Sequence, residues 1–231
     1  MNIIHKTTLV LPLLALACRS ESTSPPAAEA APPSTKSEPG VKPALPSPRP
    51  QGLRIGDDMV MADVEMRNVD GESLSLASVK GDKGTLVVFT CNHCPYAKAW
   101  EARVTALGNA YAKKGVGVVA VNPNDPSVQA EDGFDEMVAR AEKLGMEFPY
   151  VVDATSDVAR AFGASKTPEA FLFDADGALV YHGAVDDNAK DPDAVEATYL
   201  KDALDAVLAG EPVAVPTSKS VGCTIKFRPA S

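Results

Sequence analysis

The sequence is short of positive charge. Its 231 residues hold 22 Lys and Arg against 31 Asp and Glu, a formal net charge of −9. That balance excludes a protein built to grip nucleic-acid phosphates, which calls for an excess of Lys and Arg. Cysteine is also scarce. Four residues are too few for a disulfide-stapled scaffold, and a chain of this length buries a core without such staples. The apolar stretch from Thr8 to Ala17 is too short to cross a bilayer as a mature helix. There is no internal repeat and no second C-x-x-C.

What is present falls into three unlike segments. Residues 1–18 read as an export signal: Lys6 supplies the charge, Thr8 to Ala17 the apolar stretch, and small residues precede Cys18. Leu14-Ala15-Leu16-Ala17-Cys18 resembles a bacterial lipobox, in which the cut falls before the cysteine and the thiol carries the lipid. An ordinary signal peptide with an incidental cysteine is the alternative. Residues 19–52 hold nine prolines among 34 residues, a composition that cannot bury enough apolar surface to order itself. Such a tether reaches up to about 100 Å at roughly 3.1 Å per residue. Its Pro43-Ala44-Leu45-Pro46 has polyproline-ligand spacing, which this proline density produces by chance. Residues 53–231 are the folding unit, with 28 acidic and 17 basic residues. The expected location is the periplasmic side of a bacterial membrane, held by the lipid anchor alone.

In the folding unit, strands alternate with helices. Val60–Met66 and Ser73–Leu76 suggest a hairpin around Asp70-Gly71. Thr85–Thr90 and Val116–Val121 are continuous apolar runs suited to strands buried on both faces. Pro95 to Lys114 reads as a helix through Trp100, Val104, Leu107 and Tyr111. Phe134 to Leu144 is an amphipathic helix stopped by Gly145. Tyr150–Val152 is a short strand. Ser156 caps a short helix ending at Gly163. Phe171–Phe173 and Leu179–His182 form a hairpin across Asp176-Gly177, and Asp193–Leu208 is the last helix. This order predicts an α/β domain, a sheet with helices on its faces.

The sharpest motif is Thr90-Cys91-Asn92-His93-Cys94-Pro95, a C-x-x-C directly after a buried strand and at the start of a long helix. The spacing brings both sulfurs to the first helical turn, within bridging reach. There the helix terminus favours an anion, so Cys91 is expected to be the low-pKa nucleophile and Cys94 the more buried resolving thiol. His93 adds positive charge, which favours the reduced form and an oxidising couple. Pro95 is tolerated in a first turn. A zinc half-site is one alternative, but His93, His182 and Cys223 offer only scattered further ligands. An inert structural disulfide is another, though so small a loop gains little stability. No metal or cofactor is called for.

Thr167-Pro168 precedes a strand-like run, Glu169–Phe173. Strand, C-x-x-C, helix and then Thr-Pro with a β-hairpin resembles the thioredoxin superfamily. The resemblance implies a mixed sheet flanked by helices. It also implies a cis Pro168, with Thr167 facing Cys91 beside a docked substrate segment; a trans proline opening an edge strand is the plain reading. The Tyr150–Gly163 unit resembles the strand-helix insertion of the redoxin, or AhpC/TSA-like, branch. The CNHCPYA string, the Val185-Asp186-Asp187 stretch and Gly222-Cys223-Thr224-Ile225-Lys226 resemble a group of bacterial peroxiredoxin-like proteins. The departures are specific. Val88, not Thr or Ser, stands three residues before Cys91. Thr90, Asn92 and His93 replace the Trp, Gly and Pro of the thioredoxin motif. Thr85 stands where thioredoxin has a buried acid. His before the second cysteine resembles the disulfide isomerases.

The resemblance thus implies an exported thiol-disulfide oxidoreductase that uses Cys91 and Cys94 on protein thiols and disulfides, with Asn92, His93, Thr167 and Pro168 in support. A thiol-dependent peroxidase and a copper chaperone using Cys91, Cys94 and His182 are the alternatives. Cys223 is left over, as a third redox thiol or a small buried hydrophobe. Lys166 and Glu169 read as a solvated surface pair, His182 as structural, and Tyr96 and Trp100 as core.

Overall fold

The computed structural model describes residues 52–229. The signal, Cys18 with its lipobox and almost all of the tether lie outside the described residues. Strand β3 (Gly84–Phe89) is buried along its whole length, as a run without polar alternation requires. It pairs in parallel with β4 (Val116–Asn122) and antiparallel with β7 (Glu169–Asp174). The hairpin β1 (Met66–Asn68) and β2 (Ser73–Leu74) joins β5 (Tyr150–Val152) at one edge, and β8 (Leu179–Gly183) closes the other. The seven strands run in the order β2-β1-β5-β4-β3-β7-β8, the mixed sheet expected from the sequence.

Strand alternation divides the core into two layers. Leu86 and Val88 of β3 pack with Trp100, Val104 and Tyr111 of α2 (Pro95–Ala112), Met137 and Ala141 of α3 (Phe134–Leu144), and Leu200, Ala203 and Leu204 of α5 (Tyr199–Ala209). Val87 and Phe89 face the opposite layer, with Leu76 of α1 (Leu76–Val79) and Val158, Ala159 and Phe162 of α4 (Asp157–Phe162). Phe89, Phe162, Phe171 and Phe173 meet edge to face there, with ring centroids 5.3–5.9 Å apart. Such pairs add about 0.5–1.5 kcal/mol each beyond area burial.

Three expectations need correction. The first strand begins only at Met66; Val60–Glu65 is irregular, with Met61 at φ 54. The last helix begins at Tyr199, not Asp193. Residues 192–194 make one 3-10 turn, and the Asp187 carboxylate and N–H then hold Glu196 and Ala197 outside the helix. Ser156 stands at the N-cap position of α4 without capping it. Its hydroxyl donates to the Pro123 carbonyl and accepts from the Arg228 N–H.

A second, two-stranded ribbon carries the site. β6 (Lys166–Thr167) pairs with β9 (Cys223–Thr224), with Thr167 opposite Cys223. Gly222 makes this pairing possible, since a Cβ there would sit 2.2 Å from the Thr167 carbonyl oxygen.

Candidate active site

Pro95 sets where the helix starts. A residue before proline is held extended, and Cys94 has φ −64 and ψ 125 at the N-cap of α2. Both sulfurs therefore precede the first helical residue. Cys94 holds the helix terminus, where the spacing predicts Cys91. Both thiols are free. Cys91 keeps 5% of its surface and Cys94 none, so Cys91 is the one a partner can reach.

Thr167 touches both. Its hydroxyl lies 3.1 Å from Cys91 Sγ, and its carbonyl accepts from Cys94 Sγ at 3.1 Å. The Thr167-Pro168 peptide is cis, as the resemblance implied. The hydroxyl beside Cys91 thus comes from Thr167 and not from the adjacent Thr90.

The interaction between the two neighbouring thiols separates their acidities. It pulls Cys94 well below an ordinary thiol; burial opposes this, while the Cys223 thiol and the Ala97 and Cys223 N–H groups support it. The same interaction pushes Cys91 up, joined by burial and the Asp132 charge, against the Thr167 hydroxyl and the Cys94 N–H. These directions differ from the sequence expectation, which gives the low pKa to Cys91.

Asp132 is the residue that sequence reasoning missed. Its side chain is fully enclosed. Oδ1 accepts from the Asn92 and His93 N–H groups at 2.7 and 3.1 Å, and Oδ2 meets His93 Nδ1 at 2.6 Å and the Asn124 amide at 2.8 Å. It therefore fixes the two residues between the cysteines. Asn92 is held further by Tyr150 and Arg140. No local pattern separates Asp132 from exposed Glu131 beside it. His93 Nδ1 lies 3.6 Å from Cys91 Sγ, farther than from Asp132, so any charge it brings is balanced by the carboxylate.

Glu169 is the second residue misjudged. It is buried, not part of a solvated pair. One oxygen accepts from the Ser165 and Lys166 N–H groups, the other faces His182 Nε2 at 2.7 Å and the Ser220 hydroxyl. It ties the turn before Pro168 to the segment leading to Cys223. Burial would raise its carboxyl, but the His182 contact and the two N–H groups outweigh that and hold it below the usual value. His182 is thereby engaged, and it stacks on Phe171 at 4.3 Å. Among the described residues, the metal-ligating side chains that converge within 4.8 Å are Cys91, His93 and Asp132. The set of Cys91, Cys94 and His182 is not assembled, and His93 Nδ1 already faces Asp132.

Cys223 lies beside Cys94. Its N–H donates to Cys94 Sγ at 3.3 Å, and its side chain packs on the Cys91, Cys94 and Ala97 cluster. Trp100 is core, as read, with Nε1 donating to Asp186 at 2.6 Å. Tyr96 is not: it is 36% exposed. With Val221 and Lys219 it lines a groove of about 440 Å³ whose lining includes neither cysteine.

A model of the AhpC/TSA family matches residues 55–182. The thiol-disulfide oxidoreductase ResA of Halalkalibacterium halodurans is 28% identical over 127 residues, 55% of this chain and 66% of that protein. ResA of Geobacillus thermodenitrificans is 30% identical over 120 residues, 52% of this chain and 62% of that protein. The chain thus spans just under two thirds of the length of these curated relatives. Among solved structures, an uncharacterized conserved protein from Geobacillus kaustophilus is 38% identical at a TM-score of 0.71, covering 77% of this chain and 94% of that one. A hypothetical protein from Sinorhizobium meliloti 1021 is 34% identical at the same TM-score, covering 77% and 97%. A thioredoxin-like protein in its oxidised form, 21% identical at a TM-score of 0.53 and covering 68% of this chain and 97% of that one, shares the fold.

Proposed function

The chain belongs to the AhpC/TSA family of the thioredoxin-like superfamily, and from that premise we propose that it is a thiol-disulfide oxidoreductase working on protein substrates through Cys91 and Cys94. The observation that carries this reading is the pair itself: two free thiols, one just reachable and one enclosed, both in contact with Thr167. The names of the ResA relatives support it.

The steps follow from the geometry. Cys91 gives up its proton, and the Thr167 hydroxyl 3.1 Å away stabilises the thiolate. The Cys91 thiolate attacks one sulfur of a substrate disulfide. That bond breaks, and the departing substrate sulfur leaves with the electron pair and takes up a proton. Cys94 then loses its proton and attacks Cys91 Sγ. The second substrate thiolate departs and the Cys91–Cys94 disulfide forms. Two electrons have moved to the substrate, and the reverse sequence oxidises a dithiol. The lowered pKa of Cys94 favours the reduced form, and so an oxidising couple.

In this reading the protein is exported, lipidated at Cys18, and held on the periplasmic side by the tether of residues 19–52. The test is the reduction potential of the pair against glutathione. A value well above about −300 mV is expected, whereas one below it marks an inert structural bridge and overturns the proposal.

A further inference from the structure

Cys223 has no part in the exchange just described, yet the fold delivers it to Cys94. β9 exists only as the partner of β6, and the register sets Cys223 opposite Thr167, the residue that holds both sulfurs. Gly222 lets the strand come this close. The Cys223 N–H points at Cys94 Sγ. Three thiols therefore lie in sequence, Cys91 to Cys94 to Cys223, with Cys94 in the middle.

We propose that Cys94 is a switching sulfur, bridged in the oxidised protein either to Cys91 or to Cys223. This rests on the reading of Cys91 and Cys94 as an exchange pair and adds a second disulfide isomer to it. The step balances without any external reagent. The Cys223 thiolate attacks Cys94 Sγ of the Cys91–Cys94 disulfide, the Cys94–Cys223 bond forms, and Cys91 leaves as a thiolate with the electron pair. The proton that Cys223 gives up is available to Cys91. No net oxidation occurs.

The surroundings favour both ends of this step. In the reduced protein Cys223 is pushed up to about 11, by burial and then by its contacts with Cys94. Once Cys94 is bound in a disulfide, the Cys94 contributions vanish. Lys226 and Lys166, which pull the other way, remain. The leaving group is equally well placed, because the Thr167 hydroxyl at 3.1 Å receives the charge on Cys91. A better-stabilised leaving thiolate departs faster. The consequence is an oxidised protein that keeps its oxidising equivalents inside while presenting a reactive Cys91. Such a species can attack a wrongly paired substrate disulfide, which the Cys91–Cys94 disulfide cannot do.

Peptide mapping tests this directly. Trypsin releases Cys91 and Cys94 together on residues 84–98 and Cys223 on residues 220–226. Oxidised full-length protein is alkylated, acid-quenched and digested. The expected result is a cross-linked pair of these peptides, with the alkyl group on Cys91, beside the internally bridged 84–98 peptide. In Cys223→Ser, Cys91 labelling of the oxidised protein should be lost. In Cys91→Ala, the cross-link should become the sole disulfide. Only the internal bridge in wild type, with no cross-link in folded Cys91→Ala, overturns the switch and leaves the exchange pair standing. Failure of the internal bridge itself would count against the exchange pair instead.

Discussion

Replacing Asp132 by Asn should make the protein less stable and Cys91 more reactive at once. The carboxylate accepts four hydrogen bonds in a fully enclosed site. Hydrogen bonds to a charged group are worth about 1.5–3 kcal/mol each, neutral ones about 0.5–1.5. With Asn, Oδ1 still serves the Asn92 and His93 N–H groups, now as a neutral acceptor. The amide nitrogen, however, faces two former donors. His93 can turn its Nδ1 into an acceptor, but the Asn124 amide is left opposed. The sum comes to about 2–4 kcal/mol, against a total stability of about 5–15. For a domain of this size that lowers Tm by roughly 5–15 °C. The reactivity moves the other way. The Asp132 charge is one of the causes holding the Cys91 thiol up, so its removal lowers that pKa and enlarges the thiolate fraction at neutral pH. The assay is urea unfolding of the reduced protein by circular dichroism, with iodoacetamide labelling of Cys91 on the same samples. A stability loss under about 1 kcal/mol, or slower labelling, would refute the role assigned to Asp132.

Other predictions are independent of it. Thr167→Val removes the hydroxyl from Cys91 without changing side-chain shape. It costs about one hydrogen bond, so Cys91 alkylation should slow roughly five- to tenfold in a stopped-flow thiol assay. Glu169 is held below its ordinary value of 4.5 in the fold. Its stabilising contribution is therefore fully present above that pH and is lost as pH falls through the folded value. Glu169→Gln should flatten the acid limb of the wild-type stability profile, measured as urea midpoints between about pH 3 and pH 7. Gly222→Ala places a Cβ 2.2 Å from the Thr167 carbonyl oxygen. The backbone must give way at about 1–3 kcal/mol, and the cross-link between Cys94 and Cys223 should disappear from the peptide map.

The sheet was legible because its central strands are apolar without interruption, and α3 because Gly145 closes it in the left-handed conformation. The C-x-x-C and the Thr-Pro announced the site by type and order. What escaped was long-range. Asp132 reaches Asn92 across 40 positions and Glu169 reaches Ser220 across 51. An acid at the end of a short turn or the start of a strand carries no mark of burial. The helix terminus lies at Cys94 for a local reason: Pro95 is the first helical residue and holds the residue before it extended. The last helix began late because Asp187, an acid from a preceding loop, competes for the backbone of Glu196 and Ala197.

Thr167 offers a practical consequence. It contacts one sulfur through its hydroxyl and the other through its carbonyl, and it is wholly shielded from solvent. Its carbonyl and methyl resonances must therefore differ among the dithiol and each disulfide isomer. A single isotope-labelled threonine, assigned by NMR, would report the redox speciation of all three cysteines in intact protein, with no dye or alkylating agent attached to any of them.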